Sequence, residues 1–245
     1  MPMREQMPLY QQIEENLREE IKSGKLQTHA RLPSESELMT EYDVSRMTVR
    51  KALARLEYEG LVYRQPGRGT FVAKQKIEQA ISPMIGFNEK MKREGHQTRT
   101  KLLDSSIMDV EGFEPCCRAL GLSAGAKVFR IQRLRYVDDE PAVIQTNYVP
   151  LELFPGIQYV DLQRSLTKVL QEIYGVEIKG YNSELQPTIP TEEEQKLLNL
   201  TKAIPLLSIE SVSYDQRQRP IRFSKGLYRG DRFKFVVKEF EIRST

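Results

Sequence analysis

Between Pro33 and Val72 the chain sets two helix starts, a tight turn and a glycine-rich hairpin in a fixed order, and few folds accept that order. Ser34 followed by Glu37 is an S-x-x-E capping box, in which each side chain satisfies an exposed backbone donor of the other; it predicts a short helix over about Ser34 to Tyr42. Asp43 and Val44 supply a turn and Ser45 an N-cap. RMTVRKALARLEYEG follows as a longer helix, with Val49, Leu53 and Leu56 on one face and Gly60 to close it. Ahead of these, Leu9, Ile13, Leu17 and Ile21 recur every four residues as the apolar stripe of a first helix that Gly24 ends. After them, LVYRQPGRGTFVAK reads as two short strands about a Gly-rich turn.

A short helix, a tight turn and a basic helix make a helix-turn-helix, whose second helix enters the major groove of DNA N-terminus first. The charge distribution agrees. The net charge is only +3, yet residues 1–43 hold five Lys/Arg against nine Asp/Glu and residues 44–76 hold eight against two. A positive stretch of that kind is an electrostatic footprint for phosphates. The residues placed at DNA are Ser34, Glu35, Ser45, Arg46, Thr48, Arg50 and Lys51. Arg pairs bidentately with guanine O6 and N7, Thr reaches a thymine methyl or a phosphate, and a helix N-terminus favours a phosphate. Charges at helical spacing also describe a solvated helix face. The hairpin changes that balance, because Arg64, Arg68 and Gly69 form a wing whose tip can reach a minor groove or a phosphate.

LPSESELMTEYDVSRMTVRKALARLEYEGLVYRQPGRGTFV resembles the DNA-binding head of the GntR family of bacterial regulators. Linked signatures occur in sequence: P-S-E before the second helix, S-R-x-T-V-R-x-A-L on the recognition helix, G-L after it and G-x-G-T-F-V in the wing. The resemblance implies a transcription regulator whose head is a winged helix-turn-helix.

A chain of 245 residues exceeds one small domain. A head at 1–73 and a polar connector at 74–80 leave a second domain at 81–245. There, strands are expected at about 98–109, 126–137, 141–149, 180–187, 205–215, 220–228 and 233–242, with helices near 113–120, 165–174 and 191–199. Strands that follow one another closely after residue 200 favour an antiparallel sheet over a doubly wound parallel one, so the chain is α+β. In VFRIQRLRYV, Phe129, Ile131, Arg133, Arg135 and Val137 share one face; in PIRFSKGLYRGD, so do Arg222, Ser224 and Tyr228. A half-buried Arg needs an anionic partner, which a bound phosphate or carboxylate supplies. Strand spacing equally allows a solvated face with intramolecular salt bridges.

Residues 83–242, with RIQRLRYVDDEPAVIQTNYVP and the late Y-R-G-D-R-F-K-F, resemble the UTRA effector-binding domain of the HutC branch of the same family. That resemblance implies an antiparallel sheet with flanking helices, related in fold to chorismate lyase. It also implies a pocket that, in sugar-phosphate sensors, holds a phosphate with paired arginines and nearby hydroxyls. By position it assigns Arg133 and Arg135 to the paired arginines, Ser165 with neighbouring Thr167 to the helix start, and Tyr228 to the late tyrosine. Gly86 and Phe87 match the loop whose backbone donors cap the phosphate. Gln145 and Arg222 depart from the amino-sugar-phosphate sensors, which carry acidic residues there. Arg in place of a carboxylate reverses the local charge, so the implied effector is a small anionic metabolite, a sugar phosphate or similar, not one copied from N-acetylglucosamine phosphate.

Other chemistries find little support. No apolar stretch approaches the roughly 18 residues of a membrane span, and MPMREQMPLYQQIEENLREE lacks the apolar core of a signal peptide, which gives the expectation of a cytoplasmic protein. Cys116 and Cys117 are adjacent, where a disulfide is strained, and no second pair completes a zinc site; no metal or other cofactor is expected. A lyase-related fold makes an enzyme one rival. Against it, His29 and His96 lie in loops, Glu210 and Glu239 sit on strand patterns without a matched partner, and G-x-S-x-G, H-E-x-x-H and P-loop motifs are missing from the sequence. The other rival is a constitutive DNA-binding protein whose second domain only dimerises. The resemblance implies a repressor that binds a palindromic operator as a homodimer and is modulated by its ligand.

Overall fold

Apolar residues four apart build α1 (Leu9–Lys22), which buries Ile13, Leu17 and Ile21. Leu9, the first residue of the stripe, stays exposed, and Tyr10 packs against the core in its place. The computed structural model describes residues 7–74, 76–80, 86–110 and 114–236, and the chain divides into two units at Lys76 and Ile77. In the first unit, α2 (Glu35–Tyr42) starts with the complete capping box: Ser34 Oγ accepts from Glu37 N at 3.2 Å and Glu37 Oε2 accepts from Ser34 N at 2.6 Å. Asp43 ends α2 in the left-handed region at φ 48°, which turns the chain sharply into α3 (Arg46–Tyr58). Val49, Ala52, Leu53 and Leu56 of α3 meet α1, Leu32 and Leu38 in one core. β1 (Val62–Gln65) and β2 (Gly69–Val72) pair antiparallel and close that core with Val62 and Val72.

The second unit contains, in chain order, β3 (Ile77–Ala80), α4 (Phe87–Arg93), β4 (Thr98–Asp109), α5 (Glu114–Leu120), β5 (Lys127–Val137) and β6 (Glu140–Pro150). It continues with α6 (Leu166–Tyr174), β7 (Gly180–Thr188), α7 (Glu192–Leu197), β8 (Leu206–Tyr214), β9 (Pro220–Arg229) and β10 (Phe233–Val236). Where the sequence suggested only connector, Ile77–Ala80 is a strand, paired in parallel with β10. Its polar composition hides it, since such a strand needs only alternate residues inside, here Ile77 and Gln79. The strand expected over 233–242 is described as far as Val236. Its remainder with Glu239, together with Gln75, residues 81–85 and position 113 of an expected helix, lies outside the described residues.

Six strands form an antiparallel sheet in the order β4-β5-β6-β9-β8-β7, and helices cover both faces. On one face Val128, Tyr148 and Phe223 pack with Cys116 and Leu120 of α5, while Leu134, Ile144 and Leu227 pack with Leu198 and Leu206. On the other, Phe129, Ile131 and Val149 pack with Leu166 and Leu170 of α6. The middle of that second face is polar.

The turn between β8 and β9 depends on Asp215, 1 % exposed. Its carboxylate accepts from Arg217 N, Arg219 N and Arg219 Nε, each at 2.8 Å. Burial pushes the carboxyl up, but these bonds outweigh it and hold the group below the usual Asp range. A depressed folded value means that the stabilisation is complete above the ordinary Asp value near about 4 and is lost as the pH falls through the folded value. Asp215→Ala is expected to cost roughly 1.5–3 kcal/mol in urea unfolding at neutral pH, and less as the pH is lowered below about 4. A loss that does not change with pH would show that the charge is not what holds the turn.

Candidate functional site

Strand register brings the polar middle together. Arg133 on β5 lies opposite Gln145 on β6, which lies opposite Gly226 on β9. In the next row Arg135 faces Val143, which faces Tyr228; on the other side Asn147 faces Ser224, which faces Ser211. The N-terminal ends of α4, at Gly86 and Phe87, and of α6, at Ser165 and Thr167, complete the wall of a cavity of about 90 Å³. One water needs roughly 10–15 Å³ on this scale, so the space holds a small molecule's polar group with its contacts.

All nine residues that the sequence assigned to an effector line this one cavity. Asn147 and Ser211 line it too and were not singled out, although alternation from Gln145 and its cross-strand partners would have found them. Gln79 also lines it and was out of reach while β3 was taken for connector. Arg222, Ser224, Gly226 and Tyr228, every second residue of β9, all face it.

Three guanidiniums are buried here. Arg133, Arg135 and Arg222 are 2 %, 4 % and 5 % exposed, which excludes a solvated sheet face. Arg133 Nη1 donates to the carbonyls of Leu162 at 3.3 Å and Arg164 at 3.1 Å, and its Nε has no hydrogen-bond partner. Arg135 gives Nε and Nη2 to the single oxygen Gln145 Oε1, at 3.2 and 2.9 Å, and Nη1 to Thr100 Oγ1 at 2.7 Å. Arg222 donates to Thr167 Oγ1 and Ser213 Oγ, each at 3.1 Å. Among the described residues no ion pair involves Arg133 or Arg135, whose partners are neutral oxygens.

The electrostatic consequence is direct. Burial, reinforced by Arg135 and Arg222, pushes the Arg133 guanidinium well below its usual range. Burial brings Arg135 down to about 10, with Tyr228 opposing and Arg222 adding to the effect, and brings Arg222 down to about 10 as well. Enclosure pushes the Tyr228 phenol up, against the pull of Arg135 and Arg222. Arg133 and Arg135, held this close in a dry site by neutral partners and beside Arg222, form a preorganised receptor for an anion.

Two close approaches shape the walls. A Cβ at Gly86 would lie 2.6 Å from Ser165 Oγ, so glycine is what lets the two helix starts meet. The Ser165 hydroxyl makes no capping bond to α6 and is left beside the N-terminus, where the helix dipole favours negative charge. A Cβ at Gly226 would lie 2.6 Å from the Tyr228 ring, so that ring rests over bare backbone.

In the first unit the basic residues of α3 differ in their engagement. Arg46 is exposed at the first turn and has no ion pair among the described residues. Thr48 shares a 2.9 Å hydroxyl bond with the N-cap Ser45. Arg50 Nε lies 3.1 Å from the Glu35 carboxylate, and Lys51 Nζ sits 3.8 Å from the centre of the Tyr10 ring. An exposed pair such as Arg50–Glu35 is worth roughly 0–1 kcal/mol, so a phosphate can displace it. As an anion, Glu35 suits the positioning of Arg50 and not contact with a phosphate. In the hairpin, Arg64 pairs with Glu57 at 3.3 Å, while Arg68 is exposed in the turn. Gly69 adopts φ 119° there and passes Arg31 so closely that a Cβ would lie 3.0 Å from its Nε.

Residues outside the two clusters offer less. His96 Nδ1 pairs with Asp138 at 2.8 Å, His29 lies 3.3 Å from Tyr63 Oη, and Glu210 pairs with Lys225 at 2.9 Å. Among the described residues no group of three His, Cys, Asp or Glu could hold a metal, and no helix is long and apolar enough to cross a membrane.

Known proteins resemble the chain along its length. Residues 9–72 match the family described as bacterial regulatory proteins, gntR family, and residues 93–234 match the UTRA domain. The HTH-type transcriptional repressor NagR of Bacillus subtilis (strain 168) is 37 % identical over 230 residues, 94 % of either chain. The mannosyl-D-glycerate transport/metabolism system repressor MngR of Escherichia coli (strain K12) is 30 % identical over 94 % of this chain and 95 % of its own. The crystal structure of PhnF from Mycobacterium smegmatis superposes with a TM-score of 0.71 at 27 % identity, over 94 % of this chain and all of that one.

Proposed function

Because the chain belongs to the GntR family of bacterial transcription regulators and carries a UTRA domain, we propose that it is a repressor whose operator affinity is set by a small phosphorylated metabolite bound among Arg133, Arg135 and Arg222. The observation that carries the effector half is the burial of three guanidiniums in one cavity, two of them, Arg133 and Arg135, with neutral partners. A phosphoryl group brings close to two negative charges at neutral pH and three acceptor oxygens, and it fits the paired Arg133 and Arg135, the Ser165 hydroxyl and the α6 N-terminus.

The DNA half rests on α3 and the wing. Arg46, Thr48, Arg50 and Lys51 enter the major groove, Arg64 and Arg68 lie along the backbone or minor groove, and Ser34 and Ser45 fix the helix starts that approach phosphates. The protein acts in the cytoplasm as a homodimer, so that two heads take the half-sites of a palindromic operator. The head and the effector domain, which begins with β3 at Ile77, communicate through the short connector ahead of that strand. By linkage the effector must bind the two arrangements of the heads unequally, and a coupling of roughly 1–3 kcal/mol changes operator affinity about 5- to 150-fold.

A thermal-shift panel of sugar phosphates, organic acids and phosphonates tests this, followed by a gel shift with operator DNA for every stabilising compound. The expected result is stabilisation by phosphorylated compounds and a gel shift that responds to them. Stabilisation by none of the panel would favour a second domain that only dimerises.

A further inference from the structure

The basic stretch of the sequence begins at residue 44, yet one cation from the acidic stretch before it folds onto the wing. Residues 29–32 run beside β2 as a further edge. His29 N donates to Val72 O at 3.0 Å, Val72 N to Ala30 O at 2.9 Å and Leu32 N to Thr70 O at 2.8 Å, so that Arg31 stands opposite Phe71. Alternation then puts Arg31 on the face that carries Gly69 and Phe71, while Leu32 turns into the core. The Tyr63 ring, opposite Phe71 on β1, stacks on it at 5.7 Å.

Gly69 decides where the guanidinium goes. With no side chain there, Arg31 lays its guanidinium over the wing backbone, Nε, Nη2 and Cζ standing 3.0, 3.5 and 3.6 Å from where a Cβ would be. It thereby reaches the turn that carries Arg68. Arg31 also acts on the start of α2: the Ser34 bonds hold the Glu37 carboxyl below its usual range, and Arg31 adds to that pull. Both Arg31 and Glu37 are exposed, and an attraction between exposed groups is weak enough for a phosphate to displace.

We propose that Arg31 is a DNA contact, its guanidinium binding a backbone phosphate between the wing turn and the start of α2. This rests on the placement of the wing at DNA made above and adds to it a cation from outside the basic stretch. The contact positions the wing and reads no base. Resting on the backbone at Gly69, the guanidinium has already given up part of its freedom, which lowers the cost of ordering it on DNA.

A phosphate contact does not depend on sequence, so a short duplex of random sequence is the probe. The full-length protein and its variants are titrated with it by fluorescence anisotropy over about 50 to 200 mM salt. Arg31→Gln is expected to lower the slope of log affinity against log salt by about one for each head bound, and to weaken binding roughly 3- to 10-fold near 0.1 M salt. Arg31→Lys should keep the wild-type slope, because a point charge also neutralises a phosphate. Arg31 is exposed, so both variants should unfold in urea much as the wild type does. Arg68→Gln serves as the reference on the same wing. Weaker binding by Arg31→Gln at an unchanged slope would mean that the residue only shapes the wing, and unchanged binding would mean that it stays clear of DNA. Either result, with Arg68→Gln still lowering the slope, overturns this inference and leaves the placement of the wing standing. An unchanged slope in both Arg31→Gln and Arg68→Gln overturns both.

Discussion

Arg133→Met is expected to lower affinity for the effector by about 30-fold to several thousand-fold while leaving the unliganded fold as stable as before, or more so. The two effects share one cause. Arg133 is 2 % exposed, its Nε makes no hydrogen bond, and its neighbours across the cavity are two further guanidiniums. Folding without ligand therefore carries the desolvation of a cation that no anion offsets, several kcal/mol before the bonds to the Leu162 and Arg164 carbonyls are counted. Methionine fills a similar volume, removes that penalty and forgoes the two carbonyl bonds, so stability in urea should stay within about 1 kcal/mol or rise. With ligand bound, the same residue changes sign. A buried guanidinium against a phosphoryl group is a charge-assisted contact whose truncation costs roughly 2–5 kcal/mol. Calorimetric titration of the variant with the compound that stabilises the wild type, beside urea unfolding of both without it, reads the two effects separately. Unchanged ligand affinity would remove the cavity from the sensing role, and a large loss of unliganded stability would show that the arginine is there for the fold.

Much of this arrangement was legible before any coordinates. The six strands of the sheet lie within about one residue of their expected bounds, and α2 and α3 follow capping residues whose bonds form as their spacing requires. The paired faces of β5 and β9 were visible as period-two patterns. What those patterns could not decide was which face was dry, because Arg133 and Arg135 read equally well as solvated residues with surface partners. Burial is a property of what lies across the sheet, and here that cover comes from Gly86 and Ser165, nearly eighty positions apart in the chain yet almost touching. No local pattern carries such a contact. Ile77–Ala80 escaped for a related reason: its partner, β10, lies more than 150 residues later, and only pairing gives its polar side chains a place. Leu9 shows the converse, an apolar residue in register with a buried stripe that stays outside because the neighbouring Tyr10 packs against the core in its place.

The cavity and α3 pose the same physical problem, a cation waiting for an anion, and solve it differently. In the cavity Arg133 and Arg135 are fixed by neutral oxygens and dehydrated in advance, which favours one ligand of matching shape. Of those placed at DNA on α3 and the wing, Arg46 and Arg68 stay exposed, and Arg50 and Arg64 are lightly held by carboxylates that a phosphate can displace. Affinity for DNA of this second kind falls steeply with salt, because most of it comes from released counterions. Affinity for the effector should be far less sensitive, because the charges meet in a dry site.

Arg46→Ala is expected to weaken operator binding by roughly 1–3 kcal/mol at each half-site, about 5- to 150-fold, without changing effector affinity. Arg46 is the cation on α3 to lose for this purpose: it stands in the first helical turn, exposed, and has no ion pair to break among the described residues. Removal therefore changes little in the unbound protein, whereas Arg50→Ala also frees the Glu35 carboxylate near the DNA and confounds the reading. Salt dependence tells which kind of contact is lost. A base contact reduces affinity for operator DNA but not for random DNA, and the slope of log affinity against log salt stays as it was. A phosphate contact reduces both alike and lowers the slope by about one for each contact removed. In the proposed homodimer two heads on one operator would double the loss in free energy, so a variant in which operator binding falls by less than about fivefold would place Arg46 outside the interface and leave recognition to Thr48, Arg50 and the wing.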